Sequence, residues 1–259
     1  MDISGYALVT GGAESARHAA MLSLKKEQAA FWSLISTWRR QRDPVAAHPD
    51  FRAEAMRVDV SQEDSVRDAV SHMTGLFGRI DYSVHCAGVP GGTSDPISTA
   101  SFPDFKRLLE VNVHGTFLVT RAVSAAMKAQ DPKPRGTSRG VIVNLASASS
   151  HICLPNMGQY NTSKHAVLGI TKTAAIDNVS HGIRVNCVCP AWTDTPMISQ
   201  AMEVIPGLEQ RLLTDMPMGR LCRPEEVADT VLYLCSSRSS FTTGTGVIMD
   251  GGMSLSIKS

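Results

Sequence analysis

The segment Tyr160-Asn161-Thr162-Ser163-Lys164 begins thirteen residues after Ser147, which closely follows the apolar run Val141-Ile142-Val143-Asn144-Leu145. Residues four apart lie on one face of a helix, so we expect the ammonium of Lys164 beside the phenol of Tyr160. A nearby positive charge favours the ionised phenol. The apolar run predicts a buried strand, and ligands bind outside the carboxyl ends of parallel strands. The pattern therefore predicts a proton-transfer site at the edge of an α/β sheet.

This spacing resembles the short-chain dehydrogenase/reductase family, whose signature is a serine followed by Tyr-x-x-x-Lys. The motif Tyr-x-x-x-Lys alone would fit an ordinary surface helix, but the serine and the further matches below make that interpretation improbable. The resemblance implies a doubly wound, Rossmann-like parallel sheet in one domain, residues 1–259. It also implies hydride transfer between NADP or NAD and a carbonyl or alcohol. Tyr160 would donate or accept the proton, Ser147 would bind the substrate oxygen, and Lys164 would grip the nicotinamide ribose.

Composition narrows the partners and the compartment. The 259 residues are 43% apolar and 19% charged, which suits one substantial core. A net charge of +1 gives no field that would favour nucleic acid or an anionic membrane, so we expect a small-molecule substrate. Six cysteines show no Cys-x-x-Cys pair or metal-ligand spacing, and the chain opens without a signal peptide. We therefore expect free thiols, no metal, no membrane span and a cytoplasmic protein.

The amino-terminal segment departs from the family. The run Tyr6-Ala7-Leu8-Val9 predicts a buried first strand, and Thr10-Gly11-Gly12 resembles the start of a phosphate-binding turn, with Gly11 expected to contact the cofactor. Ala13-Glu14-Ser15-Ala16-Arg17 follows, and no further glycine occurs before Gly75. In the family, glycines at these positions let the backbone approach a pyrophosphate. Their absence here disrupts the cofactor motif.

Residues 16–42 carry apolar side chains at three- and four-residue spacing and end in several arginines, which is a helix pattern. We therefore expect the second strand region to be irregular or replaced by helix. Reading each codon's last base with the first two of the next permits Gly-Ile-Gly at residues 13–16 and an aspartate at residues 34–35. Our hypothesis is that residues of about 13–42 are a frame-shifted reading of an ordinary cofactor-binding segment.

Further matches follow in chain order. Asn112 matches the family asparagine that kinks its helix and holds a proton-relay water. The chain has His85-Cys86-Ala87-Gly88 where the family has Asn-Asn-Ala-Gly, and Pro190-Ala191-Trp192-Thr193-Asp194-Thr195 resembles its Pro-Gly-x-x-x-Thr. A solvated helix arginine is the plainer interpretation of one candidate, Arg121, and a turn aspartate is as plausible for Asp59. Besides Tyr160 and Lys164, the residues expected to bind the cofactor are Gly11, Asp59, Ala87, Gly88, Arg121, Thr193 and Thr195.

Residues 196–218 form a methionine-rich amphipathic segment, which predicts either a lid over an apolar substrate or ordinary core packing. Family members pair through helices that correspond to residues 102–128 and 159–180, so the resemblance implies a homodimer or homotetramer. Two other functions stay open. With cofactor binding lost, Tyr160 would serve redox-neutral acid/base chemistry such as isomerisation or cyclisation, or the chain would be an inactive homologue.

Overall fold

Seven parallel strands form one sheet in the computed structural model, which describes residues 5–11, 29–34, 53–91, 95–133 and 138–256. The strand order is β3-β2-β1-β4-β5-β6-β7, so the chain winds outward in both directions from β1 and β4. The expected doubly wound, Rossmann-like sheet is confirmed. Its strands are β1 (Gly5–Thr10), β2 (Ala29–Leu34), β3 (Ala53–Met56), β4 (Tyr82–His85), β5 (Gly140–Leu145), β6 (Ile183–Pro190) and β7 (Gly246–Met249).

Helices connect the strands from β3 onwards, in the part of the chain that the structure describes there. A π-helical turn, Glu110–His114, joins α2 to α3, and short 3-10 turns lie at Ala148–Ser150, Ser237–Ser239 and Met253–Leu255. The α-helices are α1 (Glu63–Phe77), α2 (Phe102–Leu109), α3 (Gly115–Ala129), α4 (Gly158–Val179), α5 (Pro196–Val204), α6 (Leu208–Asp215) and α7 (Pro224–Cys235).

Helices cover both faces of the sheet, which explains the continuous apolar runs of its strands. Neighbouring residues of one strand point to opposite faces, so Leu8 packs in a core with side chains of α1 and α3 while Val9 packs in another with α7. In β5, Ile142 packs in the same core as Leu8, and Val143 packs in the same core as Val9. The central strands are therefore held rigidly, and their carboxyl ends can position a site.

The expected loss of the second strand is wrong for residues 29–34. Their backbone forms β2, which pairs in parallel with β1 from Gly5–Ala29 to Thr10–Leu34 and with β3 on its other side. The helical spacing is a local preference, and pairing between two strands overrides it because their N–H and C=O groups need partners. The rest of the proposed frame-shifted segment, residues 13–28 and 35–42, lies outside the described residues.

A short turn separates β3 from α1. β3 ends at Met56, and α1 begins after Gln62, whose side chain makes no capping hydrogen bond. The carboxylate of Asp59 instead accepts hydrogen bonds from the backbone N–H of Ser61 at 3.0 Å and from its hydroxyl at 2.6 Å. Asp59 thus makes a local turn before the helix begins.

Candidate active site

Ser147, Tyr160 and Lys164 line one cavity of about 260 Å³ at the carboxyl ends of the central strands. Ser147 lies just beyond the end of β5, and the other two project from the first turns of α4. The sequence expectation that these three side chains converge on one crevice agrees with this arrangement. The position also follows the rule that ligands of open parallel sheets bind beyond the strand ends.

Lys164 is buried, and a main-chain acceptor fixes its ammonium. Its Nζ donates to the carbonyl oxygen of Leu145 at 2.9 Å and lies 5.6 Å from the centre of the Tyr160 ring. Leu145 is the last residue of β5, so the bond ties the face of α4 that carries Lys164 to the end of that strand. The positive charge is therefore held beside the phenol by the fold itself.

The hydroxyl of Ser147 bridges two strand ends. Its Oγ accepts from the backbone N–H of Ser149 at 3.1 Å and donates to the carbonyl of Pro190, at the end of β6, at 3.4 Å. The side chain is 8% exposed, and the Ser149 bond fixes its direction at the start of a 3-10 turn. The long bond to Pro190 is the one that a stronger acceptor in the cavity would replace.

Asn112 occupies the π-helical turn between α2 and α3, which is the local irregularity that the sequence comparison predicted at this residue. Its side-chain amide pairs with the backbone of Val89, accepting from the N–H at 2.8 Å and donating to the carbonyl at 3.0 Å. Nδ2 also lies 3.2 Å from Ser163 Oγ on α4. Asn112 therefore holds the loop after β4 against α4.

Two glycines allow backbone segments to meet at the sheet edge. Gly11 has a φ of +97°, and a Cβ there would lie 2.7 Å from the backbone nitrogen of Ala87. A Cβ on Gly88 would lie 3.3 Å from Asn112 Oδ1 and 3.8 Å from Lys164 Nζ. Ala87 packs partly buried against the core. Gly11, which directly follows β1, is thus in direct contact with the backbone after β4, as close approach of a cofactor requires.

Thr193 and Thr195 line the same cavity, beyond the end of β6. Thr193 Oγ1 donates to the carbonyl of Ala191 at 3.2 Å, and Thr195 directly precedes α5. Asp59 and Arg121 do not line this cavity. Asp59 is exposed beyond β3, and Arg121 pairs with Glu63 of α1, with both side chains about half exposed. Their assignment to the cofactor stays a prediction, since the adenine end would lie apart from the nicotinamide end.

Comparison with known proteins places this arrangement in a family. The sequence model of the family described as enoyl-(acyl carrier protein) reductase matches residues 17–254 of this chain. The short-chain dehydrogenase fogB of Aspergillus ruber is 48% identical over 273 aligned positions, covering 100% of both chains. The chain belongs to the short-chain dehydrogenase/reductase family. The expectation of an NAD(P)-dependent enzyme of this family is thereby confirmed.

Two further relatives agree with this membership. The 2,5-dichloro-2,5-cyclohexadiene-1,4-diol dehydrogenase of Sphingobium indicum is 34% identical over 251 positions, which cover 97% of this chain and 98% of that protein. A solved short-chain dehydrogenase/reductase of Mycobacterium ulcerans superimposes with a TM-score of 0.85 at 25% identity, covering 98% of this chain and 92% of that one. Membership of this family makes the protein an oxidoreductase.

The strand-end pair His85 and Cys86 departs from the family pattern. His85 is fully buried, and its Nδ1 lies 2.6 Å from Thr10 Oγ1 of the neighbouring strand. Burial, helped by the charge of Lys164, lowers the pKa of His85 to about 3, so the ring is neutral at physiological pH. Cys86 lines the cavity, where burial raises the pKa of its thiol to about 12. Neither residue therefore supplies a charge to the site.

The apolar side of the cavity, which we call the apolar wall, was only partly predictable from the sequence. Ile198 of α5 belongs to it, which agrees with the expectation of an apolar segment beside the site, whereas Leu212 and Met216 of the same segment are buried in the interior. The other contributors come from distant parts of the chain and carry no motif. The apolar wall consists of Leu154, Met157, Trp192, Ile198 and Met253.

The described residues contain no group of three His, Cys, Asp or Glu side chains placed to hold a metal ion. Within the same part of the chain, no helix has both the length and the apolar character that crossing a bilayer demands.

Proposed function

We propose that this protein transfers a hydride between NAD(P) and a carbonyl or alcohol of a small apolar substrate, with Tyr160 as the proton donor or acceptor. The observation that carries the proposal is the presence of Ser147, Tyr160 and Lys164 in one cavity. A hydroxyl, a phenol and a buried ammonium together suit an oxygen that gains or loses a proton as the bond order at its carbon changes. The adjoining apolar wall suits a substrate with little charge.

In the reductive direction, the phenol of Tyr160 donates its proton to the substrate oxygen, and Ser147 donates a hydrogen bond to that same oxygen. Lys164 stabilises the negative charge that remains on the phenol, because its ammonium is held near the ring by the carbonyl of Leu145. Asn112 positions the loop beneath Lys164 and, by resemblance to the family, keeps a water through which Tyr160 recovers a proton. The oxidative direction reverses each proton transfer.

The residues at the nicotinamide end suit the cofactor chemically. The Lys164 ammonium matches a ribose diol, and the hydroxyls of Thr193 and Thr195 match a carboxamide. Gly88 leaves the space beside Lys164 that a side chain would fill. When bound, NADP or NAD would supply or accept the hydride. Gly11, Ala87, Asp59 and Arg121 are proposed for the remainder of the cofactor, and the choice between NADP and NAD depends on the end of β2.

The frame-shift hypothesis for residues 13–42 is kept as a proposal. The alignment to fogB runs over 273 positions, 14 more than the 259 residues of this chain, so gaps open within this chain. A mis-read segment that is also shorter than its counterpart would account for such gaps. Sequencing the messenger RNA tests the idea: a frame that differs from the printed one between residues 13 and 42 supports it, and an uninterrupted printed frame refutes it.

Several properties of the whole molecule accompany the proposal. The named relatives are dehydrogenases, which favours redox chemistry over isomerisation or an inactive scaffold. One of them acts, by its name, on a cyclic diol, which supports a small ring-containing substrate. We also propose a cytoplasmic protein of specialised metabolism that forms a homodimer or homotetramer. Exposed apolar side chains on the helices expected to pair support the oligomer, namely Phe102, Phe117, Ile176 and Val179.

The test begins with nucleotide binding by the purified full chain. Isothermal titration with NADPH and with NADH should show binding of one of them, and a panel of aromatic and alicyclic carbonyls should then oxidise that nucleotide. Tyr160→Phe should retain nucleotide binding and lose turnover by at least 10²-fold. Turnover of a carbonyl without any nucleotide would overturn the proposal in favour of redox-neutral chemistry. Full activity of Tyr160→Phe would show that Tyr160 is not the proton donor.

A further inference from the structure

Trp192 is the residue of the apolar wall that carries a hydrogen-bond donor, and its backbone is held on both sides. Its carbonyl accepts from the backbone N–H of Cys222 at 2.9 Å, and the next ladder bond runs from Asp194 N to the carbonyl of Cys222 at 2.8 Å. Thr193 and Cys222 form an isolated parallel bridge between these bonds. The main chain of Trp192 is thus fixed beside the cavity, and only its side chain can adjust.

The indole nitrogen of Trp192 is shielded from solvent and has no acceptor among the residues that the structure describes. Three other polar side chains of the cavity, Ser147, Lys164 and Thr193, differ in this respect, since each makes a hydrogen bond to a main-chain carbonyl. A buried donor without an acceptor costs free energy that a suitable acceptor restores. Trp192 therefore sits in the cavity lining with an unmet requirement for an oxygen.

We propose that Trp192 Nε1–H binds a second oxygen of the substrate, so that the substrate is a small apolar carbonyl or alcohol that also bears an ether, hydroxyl or carbonyl oxygen. The inference rests on the proposed function, because the first oxygen is the one held by Ser147 and Tyr160. The rest of the apolar wall encloses the carbon skeleton between the two oxygens. Trp192 then fixes which end of the substrate enters first, and so which carbon faces the hydride.

The indole must turn slightly for this bond, because the N–H is covered in the conformation described. The rotation takes place about the side-chain torsions, because the neighbouring ladder bonds hold the main chain in place. A substrate lacking the second oxygen leaves the donor unpaired in the complex, and sites with an unpaired buried donor discriminate against such analogues. Trp192 therefore acts on specificity, while the three groups on Ser147, Tyr160 and Lys164 act on the reacting oxygen.

The test uses pairs of probes that differ only in an acceptor. The methoxybenzaldehydes and the ethylbenzaldehydes substituted at the same ring position are close in size, and only the former carry a second oxygen. Rates are measured with the full chain and the nucleotide that it binds, for the ortho, meta and para pairs, in the natural protein and in Trp192→Phe. Phenylalanine keeps an aromatic wall and removes the N–H. Leu154→Ile serves as the matched control, because it alters the wall without touching a donor.

For the ring position that reaches the indole, kcat/KM should favour methoxy over ethyl by roughly tenfold in the natural protein, chiefly through KM. In Trp192→Phe this ratio should fall to about one, while the ethyl probe keeps its rate within a few-fold; Leu154→Ile should keep the ratio. Turnover without a methoxy preference, or a preference unchanged in Trp192→Phe, overturns the role of Trp192 alone. No turnover of any probe with either nucleotide overturns the proposed function, and the inference falls with it.

Discussion

The ammonium of Lys164 lies 2.9 Å from the carbonyl oxygen of Leu145, and this bond joins helix α4 to the end of strand β5. Because the acceptor is a main-chain group at the end of a central strand, the fold itself positions the charge. The charge is thereby kept at 5.6 Å from the centre of the Tyr160 ring. Removing it should affect chemistry more than folding.

We therefore predict that Lys164→Met lowers kcat/KM by about 10²- to 10⁴-fold, because the phenol loses the charge that stabilises its ionised form. The methionine keeps most of the buried alkyl length, so the melting temperature should change little by comparison. Lys172→Met, at an exposed position on the same helix, is the control and should keep its activity. Steady-state rates across pH and thermal melts check both variants. Equal activity of the two would contradict the role given to Lys164.

The contact between Gly11 and the backbone after β4 gives a second prediction. Gly11→Ala should lower the free energy of unfolding by about 1–3 kcal/mol, because its φ of +97° is unfavourable for alanine and the new Cβ would meet the backbone of Ala87. Gly75→Ala is the matched control. It lies in α1 with nothing within 4 Å of the added Cβ, so it should raise stability by roughly 0.5–1 kcal/mol.

Urea denaturation of both glycine variants measures these changes directly. Nucleotide titration gives a second readout, since displacement of the Gly11 turn should weaken binding whereas Gly75→Ala should leave it unchanged. Two variants of equal stability would show that Gly11 has room for a side chain. Unchanged nucleotide binding in Gly11→Ala would show that its close approach to Ala87 has no role in cofactor binding.

The sequence was sufficient for the core of the site because that core depends on short-range rules. Tyr160 and Lys164 are four apart on a helix, and Ser147 follows an apolar strand, so local spacing and the strand-end rule bring them together. Strand β2 was missed because its pairing with β1 and β3 is a long-range interaction that leaves no mark on local periodicity. A local helix pattern therefore misled the prediction there.

The apolar wall could not be predicted for a related reason. Leu154, Trp192 and Met253 belong to three loops or turns far apart in the chain. No sequence motif in any of these segments indicates that they line one cavity. That the indole N–H of Trp192 has no acceptor among the described residues can be seen only in the folded structure. Spacing can thus identify the groups proposed to react, while the wall proposed to select the substrate depends on how the loops fold over the sheet.

Exposed apolar side chains on α4 give a prediction about assembly. Ile176 is 75% exposed on the helix expected to pair with a second copy, so Ile176→Asp should place a charge in that interface and shift the protein towards monomer. Val204 on α5 is also 75% exposed but lies outside the expected interface, and Val204→Asp should leave the assembly unchanged. Light scattering after size-exclusion chromatography measures the mass. Identical masses for both variants would place the interface elsewhere.

The buried histidine of β4 should make the protein sensitive to acid. The pKa of His85 is about 3 in the folded chain against an ordinary value of 6.5. Between pH 3 and pH 6.5, the unfolded chain therefore binds a proton at this residue that the folded chain does not bind. His85 therefore lowers the free energy of unfolding as pH falls from 6.5 towards 3, by about 1.4 kcal/mol per pH unit. Above pH 6.5 both states are neutral at this residue, and it contributes no pH dependence.

His85→Asn removes the titrating group and restores the residue type that the family pattern carries here, so it should flatten the loss of stability over this pH window. His181→Asn, at an exposed position, is the control and should keep the slope of the natural protein. Urea denaturation at half-unit steps from pH 4 to pH 7 measures the slopes. A slope in His85→Asn equal to that of the control would mean that other groups cause the acid sensitivity, and that the buried imidazole is protonated in both states alike.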